Sequence, residues 1–348
     1  MLPLRSSAKS GLRVAPLEAR ARPNLRMTLQ PCSTRAFFNS AIYKRIFPIF
    51  YPPKKMTNTT KGIIFLIISA FSFAAMALFV RLAGDINFIQ KAFFRNAVSL
   101  VIALGFLIRE GREKGWESVA IPKGALIFLF IRATAGSIGI FGNFYAIDRL
   151  VLSDAAILNK MSPFFAVFFS IFLMKEKVRL VPMLAITGAF LGAMLVVKPS
   201  FDFSATLPTL AGFIGGVGAG LAYACVRKLS SLKCNGKVIV LFFSVYSCLL
   251  SLPHMIFHWE AMTGIQLTFL ILAGVWAACG QFSITAAYFH APAREISIYD
   301  YSQIIFSASF GFFVFGMLPD WMSLTGYAVI IGMAVLNFVY NKRMHLVH

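Results

Sequence analysis

Three basic residues lie deep inside long apolar runs of this chain, and they are the residues best placed to do chemistry. They are Arg95, Arg132 and Lys160. A charge at the centre of a membrane helix costs about 2.5–3.5 kcal/mol on insertion scales, so it normally faces a cavity or an opposite charge. Buried cations of this kind favour a ligand that bears an anionic group.

Polar residues recur at helical spacing around these cations. Lys91 and Arg95 are four residues apart, which places them on one helix face. A second helix face is formed by Arg132, Gly136, Gly139 and Asn143. Its glycines would let a neighbouring backbone or a ligand come close, while its polar residues supply hydrogen-bond donors.

A later run places Asp300, Gln303 and Ser307 on one face, with Tyr299 and Tyr301 beside it. We therefore predict a substrate site from residues that share a polar or aromatic character within apolar runs. They are Arg95, Arg132, Asn143, Asn159, Lys160, Gln281, Tyr299, Asp300 and Gln303.

Structural roles compete with this interpretation. Lys160 and Asp300 could form a structural ion pair, and Lys91 could extend its ammonium group to the membrane surface. Asp154 and Glu295 lie near the ends of their runs, where they could be interfacial. Asp300 or Glu295 could also carry a proton during transport.

The composition indicates a membrane protein. The 348 residues are 58% hydrophobic and 13% charged, whereas soluble domains carry roughly 25% charged residues. Runs of about 20 apolar residues span a bilayer as helices. We predict an all-α membrane protein of ten transmembrane helices, spanning 62–82, 87–108, 124–147, 151–174, 180–198, 208–226, 238–258, 265–289, 296–317 and 322–341.

Basic residues determine the orientation of these helices, because Lys and Arg accumulate in cytoplasmic loops. With both termini cytoplasmic, only Arg81, Arg149 and Lys198 fall outside. Half of the net charge of +20 belongs to a segment preceding the first span. We expect residues 1–56 to be a disordered basic tail or sequence upstream of a start at Met56, with an organellar targeting segment as the alternative.

The two halves of the chain resemble each other weakly. A shift of 141 residues places Asn159 on Asp300 and Ser162 on Gln303. Because each half has five spans, an odd number, the second copy must lie inverted in the membrane. Inverted repeats around a midplane site are typical of secondary transporters.

Several segments resemble the EamA-type drug/metabolite transporter superfamily. They are AIDRLVLSDAAIL (146–158), PFF (163–165) leading to LMKEK (173–177), GAFLGA (188–193) and VKP (197–199). The resemblance implies a carrier of small metabolites with two five-helix repeats, 57–199 and 200–341, and a short cytoplasmic tail, 342–348. It is expected in the plasma (inner) membrane, and a homodimer is left open.

We expect a secondary carrier that works by alternating access, since no ATP-binding module is present. An enzyme is not expected, because no nucleophile elbow or paired histidine and acid occurs. The five cysteines predict neither disulfides nor a metal site, and no cofactor or nucleic acid is expected. A channel, a non-transporting receptor, and a carrier of an amino acid or an S-adenosylmethionine-like zwitterion or cation, bound by Asp154 and Asp300, remain alternatives.

Overall fold

The computed structural model describes residues 57–150, 152–175, 179–198, 206–316 and 318–347, which form twelve α-helices and no strand. The basic segment 1–56 and Glu176, which belongs to the LMKEK segment, lie outside the described residues. The first half contains α1 (Asn58–Leu82), α2 (Phe88–Lys114), α3 (Ala125–Arg149), α4 (Leu152–Asn159), α5 (Ser162–Met174) and α6 (Leu180–Val197). The second half contains α7 (Thr206–Ser231), α8 (Gly236–Phe257), α9 (Gly264–His290), α10 (Ala293–Ile296), α11 (Ser302–Phe315) and α12 (Trp321–Val347).

Nine helical segments within this described part are long and apolar enough to cross a membrane. An all-helical multi-pass membrane protein is therefore confirmed. The ninth predicted span, 296–317, is not one regular α-helix, because a 3-10 turn at Ser297–Tyr301 separates α10 from α11, which has 14 residues. The last helix also continues to Val347, beyond the predicted end of the last span at 341.

The fourth predicted span, 151–174, is also interrupted, between α4 and α5. Pro163 explains this break, because its ring has no N–H and clashes with the carbonyl of the residue four positions earlier, Asn159. The helix ends at Asn159 and restarts at Ser162. The amide of Phe164 then bonds to the Met161 carbonyl rather than to the Lys160 carbonyl, which is left without its helical donor.

The two interrupted helices correspond to each other in the predicted repeat. The 141-residue shift places Lys160 on Tyr301, so both breaks fall at the same point of their repeats. The contacts between helices also correspond when the two halves are exchanged. Helix α3 packs on α7 in the way that α9 packs on α1, and α5 packs on α7 in the way that α11 packs on α1. The helices α2 and α8 pack against each other, as do α6 and α12. This pattern is consistent with two inverted five-helix repeats.

Glycines allow α7 to approach its neighbours closely. A Cβ atom added at Gly216 would lie 2.5 Å from the Leu158 carbonyl oxygen, and one at Gly218 would lie 2.6 Å from the Ala135 carbonyl oxygen. One glycine stripe of α7 thus packs against α4 and α5, and a second packs against α3. These stripes are close helix contacts, and they position the polar face of α3.

Replacing Gly218 by alanine is therefore expected to destabilise the protein by about 1–3 kcal/mol, because two backbones must separate. Thermal unfolding of the purified protein in detergent measures this. Gly332→Ala is the matched control: its Cβ meets nothing within 4 Å, so the change should be neutral or stabilising by up to about 1 kcal/mol. Equal melting temperatures for the two variants would contradict a backbone contact at Gly218.

Loops that the predicted topology places on one side of the membrane contact each other. On one side, Lys237 pairs with Glu110 at 2.7 Å and Thr59 donates to Glu295 at 2.9 Å. On the other, Lys198 pairs with Asp320, and this hydrogen bond holds the pKa of Asp320 at about 2. These contacts agree with the predicted topology, in which successive loops lie on alternate sides of the membrane.

Candidate functional site

A cavity lies at the centre of the bundle and is lined by helices of both halves. Its volume is about 120 Å³, enough for several waters or part of a small solute. Among the residues that line it, the polar and charged side chains are Arg95, Arg132, Asn143, Asn159, Tyr223, Gln281 and Gln303. The apolar side chains that line it include Phe73, Met76, Ile140, Phe144 and Phe243.

Arg132 projects from α3 and is only 2% exposed. Its Nη2 donates to Oε1 of Gln281 at 2.9 Å, and its guanidinium lies 4.0 Å from the centre of the Phe243 ring. Its Nε and Nη1 have no hydrogen-bond partner. Gly136 makes room for this group, because a Cβ there would lie 2.5 Å from Nη1 of Arg132.

Arg95 projects from α2 into the same cavity and is 5% exposed. Its Nε donates to the sulfur of Met76 at 3.0 Å, which is a weak acceptor, and its Nη1 has no partner. No carboxylate belongs to the lining of this cavity in the described residues. Two buried guanidinium groups therefore face one small space without a compensating acid.

Lys160 is the third buried cation, and it has a counter-ion. Its Nζ pairs with Oδ2 of Asp300 at 3.0 Å and donates to Oε1 of Gln303 at 2.7 Å. Both side chains of the ion pair are 7% exposed. The structural pairing considered from the sequence is thus observed, and neither residue lines the cavity, although Gln303 does.

The ion pair also joins the two helix breaks. Nζ of Lys160 donates to the backbone carbonyl of Asp300 at 3.3 Å, and the Tyr301 hydroxyl donates to the Lys160 carbonyl at 3.0 Å. That second bond provides a new donor for the Lys160 carbonyl, which lost its helical donor at the break. Backbone carbonyls that lose their helical hydrogen bond inside a membrane must find another donor. At these two breaks, each interrupted helix provides a hydrogen-bond donor for a carbonyl of the other.

The structure brings together six of the nine predicted site residues along the cavity: Arg95, Arg132, Asn143, Asn159, Gln281 and Gln303. Tyr299 is placed elsewhere, since its hydroxyl donates to the Ala334 carbonyl of α12 at 3.2 Å. The Asp154 side chain lies outside the described residues.

Sequence reasoning missed the aromatic side chains of the cavity. Tyr223 lines it and stacks on Tyr288, with ring centres 5.5 Å apart. Phe243 supports Arg132. In a chain with 37 phenylalanines and 10 tyrosines, no pattern distinguishes these two from aromatic residues that simply fill the bundle.

Comparison with known proteins identifies relatives over most of the chain. The EamA-like transporter family matches residues 60–198. The pseudopaline exporter CntI of Pseudomonas aeruginosa is 27% identical over 272 residues, covering 78% of this chain and 93% of that protein. Solute carrier family 35 member G1 of Homo sapiens is 27% identical, covering 80% of this chain and 79% of that protein.

The S-adenosylmethionine uptake transporter of Rickettsia felis is 24% identical, covering 81% of this chain and 93% of that protein. A solved crystal structure shares the fold, with a TM-score of 0.69 and 15% identity, covering 81% of this chain and 98% of the other. Relatives named as transporters support the prediction that the chain is not an enzyme. This protein is thus an integral membrane protein whose residues 60–198 match the EamA-like transporter family and which is similar to proteins named as transporters over about four fifths of its length.

Proposed function

We propose that this protein is a secondary carrier that moves a small organic metabolite with an anionic group across a membrane by alternating access. The observation behind the proposal is the pair of buried guanidinium groups, Arg95 and Arg132, with unpartnered N–H groups and, in the described part of the chain, no acid in the lining of their cavity. A charge buried without compensation is costly, and a bound carboxylate or phosphate would provide the compensation. Arginine is well suited to these groups because its donors can bind two oxygens at once.

The position of the cavity supports a carrier. It lies between two repeats and beside two interrupted helices, the arrangement in which secondary transporters bind substrate. Rocking of one repeat against the other would expose the cavity to each side in turn. We propose residues 57–199 and 200–341 as these repeats, with both termini in the cytoplasm and the protein in the plasma (inner) membrane.

A thermal-shift screen of the purified protein in detergent tests the substrate class. The probes are succinate and pyruvate as anions, alanine and S-adenosylmethionine as zwitterionic or cationic compounds, and putrescine as a cation. A ligand at 100 times its Kd adds about 2.7 kcal/mol of stability. We expect anions to raise the Tm of the parent protein, and Arg95→Met and Arg132→Met to abolish that increase.

Arg109→Met is the matched control, because Arg109 lies on α2 like Arg95 but is exposed and paired with Glu113. It should respond to anions as the parent does. Stabilisation by anions that survives in both cavity variants would contradict the proposed site.

A second candidate substrate class is a zwitterion, favoured by similarity to the S-adenosylmethionine uptake transporter. Its carboxylate would meet the arginines, and its ammonium group would compete with Lys160 for Asp300. Stabilisation by alanine or S-adenosylmethionine, without stabilisation by succinate, pyruvate or putrescine, would favour this class over anions.

A further inference from the structure

We propose that the cavity binds a dicarboxylate lengthwise, with one carboxylate at Arg95 and the other at Arg132. The inference rests on the anionic substrate of the proposed function and adds the number of anionic groups and their separation. Its basis is the placement of the two buried cations, which reach one cavity from opposite sides of the membrane.

The directions of two successive helices place the arginines at different depths. Arg95 is the eighth residue of α2, and Arg132 is the eighth residue of α3. Both helices are long enough to cross a membrane, and α3 begins on the side where α2 ends. At a rise of 1.5 Å per residue, each arginine Cα lies about 10 Å from the start of its helix. Because the two starts lie on opposite sides, the arginines enter the cavity from its two ends.

The contacts of the two side chains agree with this placement. Met76, which accepts from Nε of Arg95, lies six residues before the last residue of α1, and α1 ends on the side where α2 begins. Gln281, which accepts from Nη2 of Arg132, lies nine residues before the last residue of α9. In the alternating topology, α9 ends on the side where α3 begins. Each guanidinium group is therefore held by a neighbour from its own end of the cavity.

The two guanidinium groups come near enough for one small molecule to reach both. A Cβ atom at Gly136, one turn beyond Arg132, would lie 2.5 Å from Nη1 of Arg132, so this side chain extends towards the middle of the bundle. The guanidinium groups of Arg95 and Arg132 interact electrostatically with each other, and both interact with the Tyr223 hydroxyl. A cavity of about 120 Å³ between them suits a chain of a few carbon atoms.

The wall of the cavity along α3 also suits a carbon chain with polar ends. Gly139 and Ile140 line it and offer no side-chain hydrogen-bonding group. Asn143 lines it eleven residues beyond Arg132, about 16 Å along the helix axis at 1.5 Å per residue. The Asn143 amide thus lies towards the Arg95 end, where its N–H groups can donate to a carboxylate.

The charges at the two ends favour carboxylates. One guanidinium group is compensated by one negative charge, which is the charge of a carboxylate, whereas a phosphate monoester carries about 1.5 to 2 negative charges at pH 7. A monocarboxylate would compensate one arginine and leave the other buried without a partner, which is costly. A dicarboxylate compensates both arginines at once.

Isothermal titration calorimetry of the full-length protein in detergent tests the proposal. The probes are the straight-chain dicarboxylates from malonate to suberate at pH 8, well above the pKa of a carboxylic acid. Since two anchored cations select a length, we expect the Kd to pass through a minimum within this series. The dicarboxylate of that length is then compared with its own monoamide, which has the same shape and one charge fewer. We expect the monoamide to bind about tenfold to a hundredfold more weakly, the effect of one hydrogen-bonded contact to a charged group.

Two variants assign the two carboxylates to their arginines. Arg95→Met and Arg132→Met should each remove the preference for the dicarboxylate over its monoamide, because only one cation remains in the cavity. Arg109→Met is the matched control: Arg109 lies on α2 but is exposed and paired with Glu113, so this variant should keep the preference. The length series and the monoamide comparison need only the parent protein, and they test the proposal even if neither variant folds.

The outcomes distinguish this inference from the proposed function. A Kd that does not depend on chain length, a monoamide that binds as tightly as the dicarboxylate, or a preference that persists in both cavity variants would each overturn the two-ended site. Dicarboxylate and monoamide binding that is equal, but lost in Arg95→Met and Arg132→Met, would overturn this inference alone and leave the anion site intact. Absence of binding by every anion tested would overturn both.

Discussion

Replacing Lys160 by methionine is expected to destabilise the protein by about 3–5 kcal/mol, the usual effect of removing one partner of a buried ion pair. The Asp300 carboxylate would lose its counter-ion inside the bundle, and Gln303 would lose its donor. The carbonyl of Asp300 would also lose its bond to Lys160. Thermal unfolding of the purified ligand-free protein in detergent at pH 8 measures the change.

The double variant Lys160→Met with Asp300→Asn should recover much of this loss, because no uncompensated charge remains. Lys198→Met is the matched control. Lys198 pairs with Asp320, but their side chains are 40% and 53% exposed, and exposed pairs contribute about 0–1 kcal/mol. If Lys160→Met costs no more than Lys198→Met, the buried pair does not hold the two broken helices together.

Replacing Arg95 by methionine is expected to have the opposite sign and to stabilise the ligand-free protein by about 1–2 kcal/mol. The guanidinium is buried without a carboxylate, and the partner that its Nε contacts is only a thioether sulfur. Replacing buried charged groups by apolar side chains of similar size is often neutral or stabilising by about 1–4 kcal/mol. A residue that lowers stability in this way is typical of a functional site.

Arg132→Met should stabilise the ligand-free protein less than Arg95→Met does. It removes the donor to Gln281 and the contact with the Phe243 ring, and a lost cation–π contact is worth about 0.5–2 kcal/mol. Melting temperatures of the ligand-free variants test this order. A lower melting temperature for Arg95→Met than for the parent would show that Arg95 is structural.

The sequence predicted the membrane-spanning helices well because their signal is local. Long apolar runs bounded by charged residues are sufficient to locate a span, since backbone groups in lipid must bond within their own helix. Helical spacing likewise predicted the polar face of α3, and Arg132 and Asn143 both line the cavity. The same local pattern predicted the 141-residue repeat that relates the two helix breaks.

The tertiary structure alone decided which candidates share a site. Hydropathy does not detect a break such as Ser297–Tyr301, because it reports the polarity of side chains and not the backbone hydrogen bonding that changes there. Whether a buried cation meets an acid depends on contacts between residues far apart in the chain. Lys160 meets Asp300 across 140 residues, whereas Arg95 and Arg132 meet no acid among the described residues that line the cavity. By itself the sequence determined the spans and their polar faces; packing of the two halves decided which charges remain for a ligand.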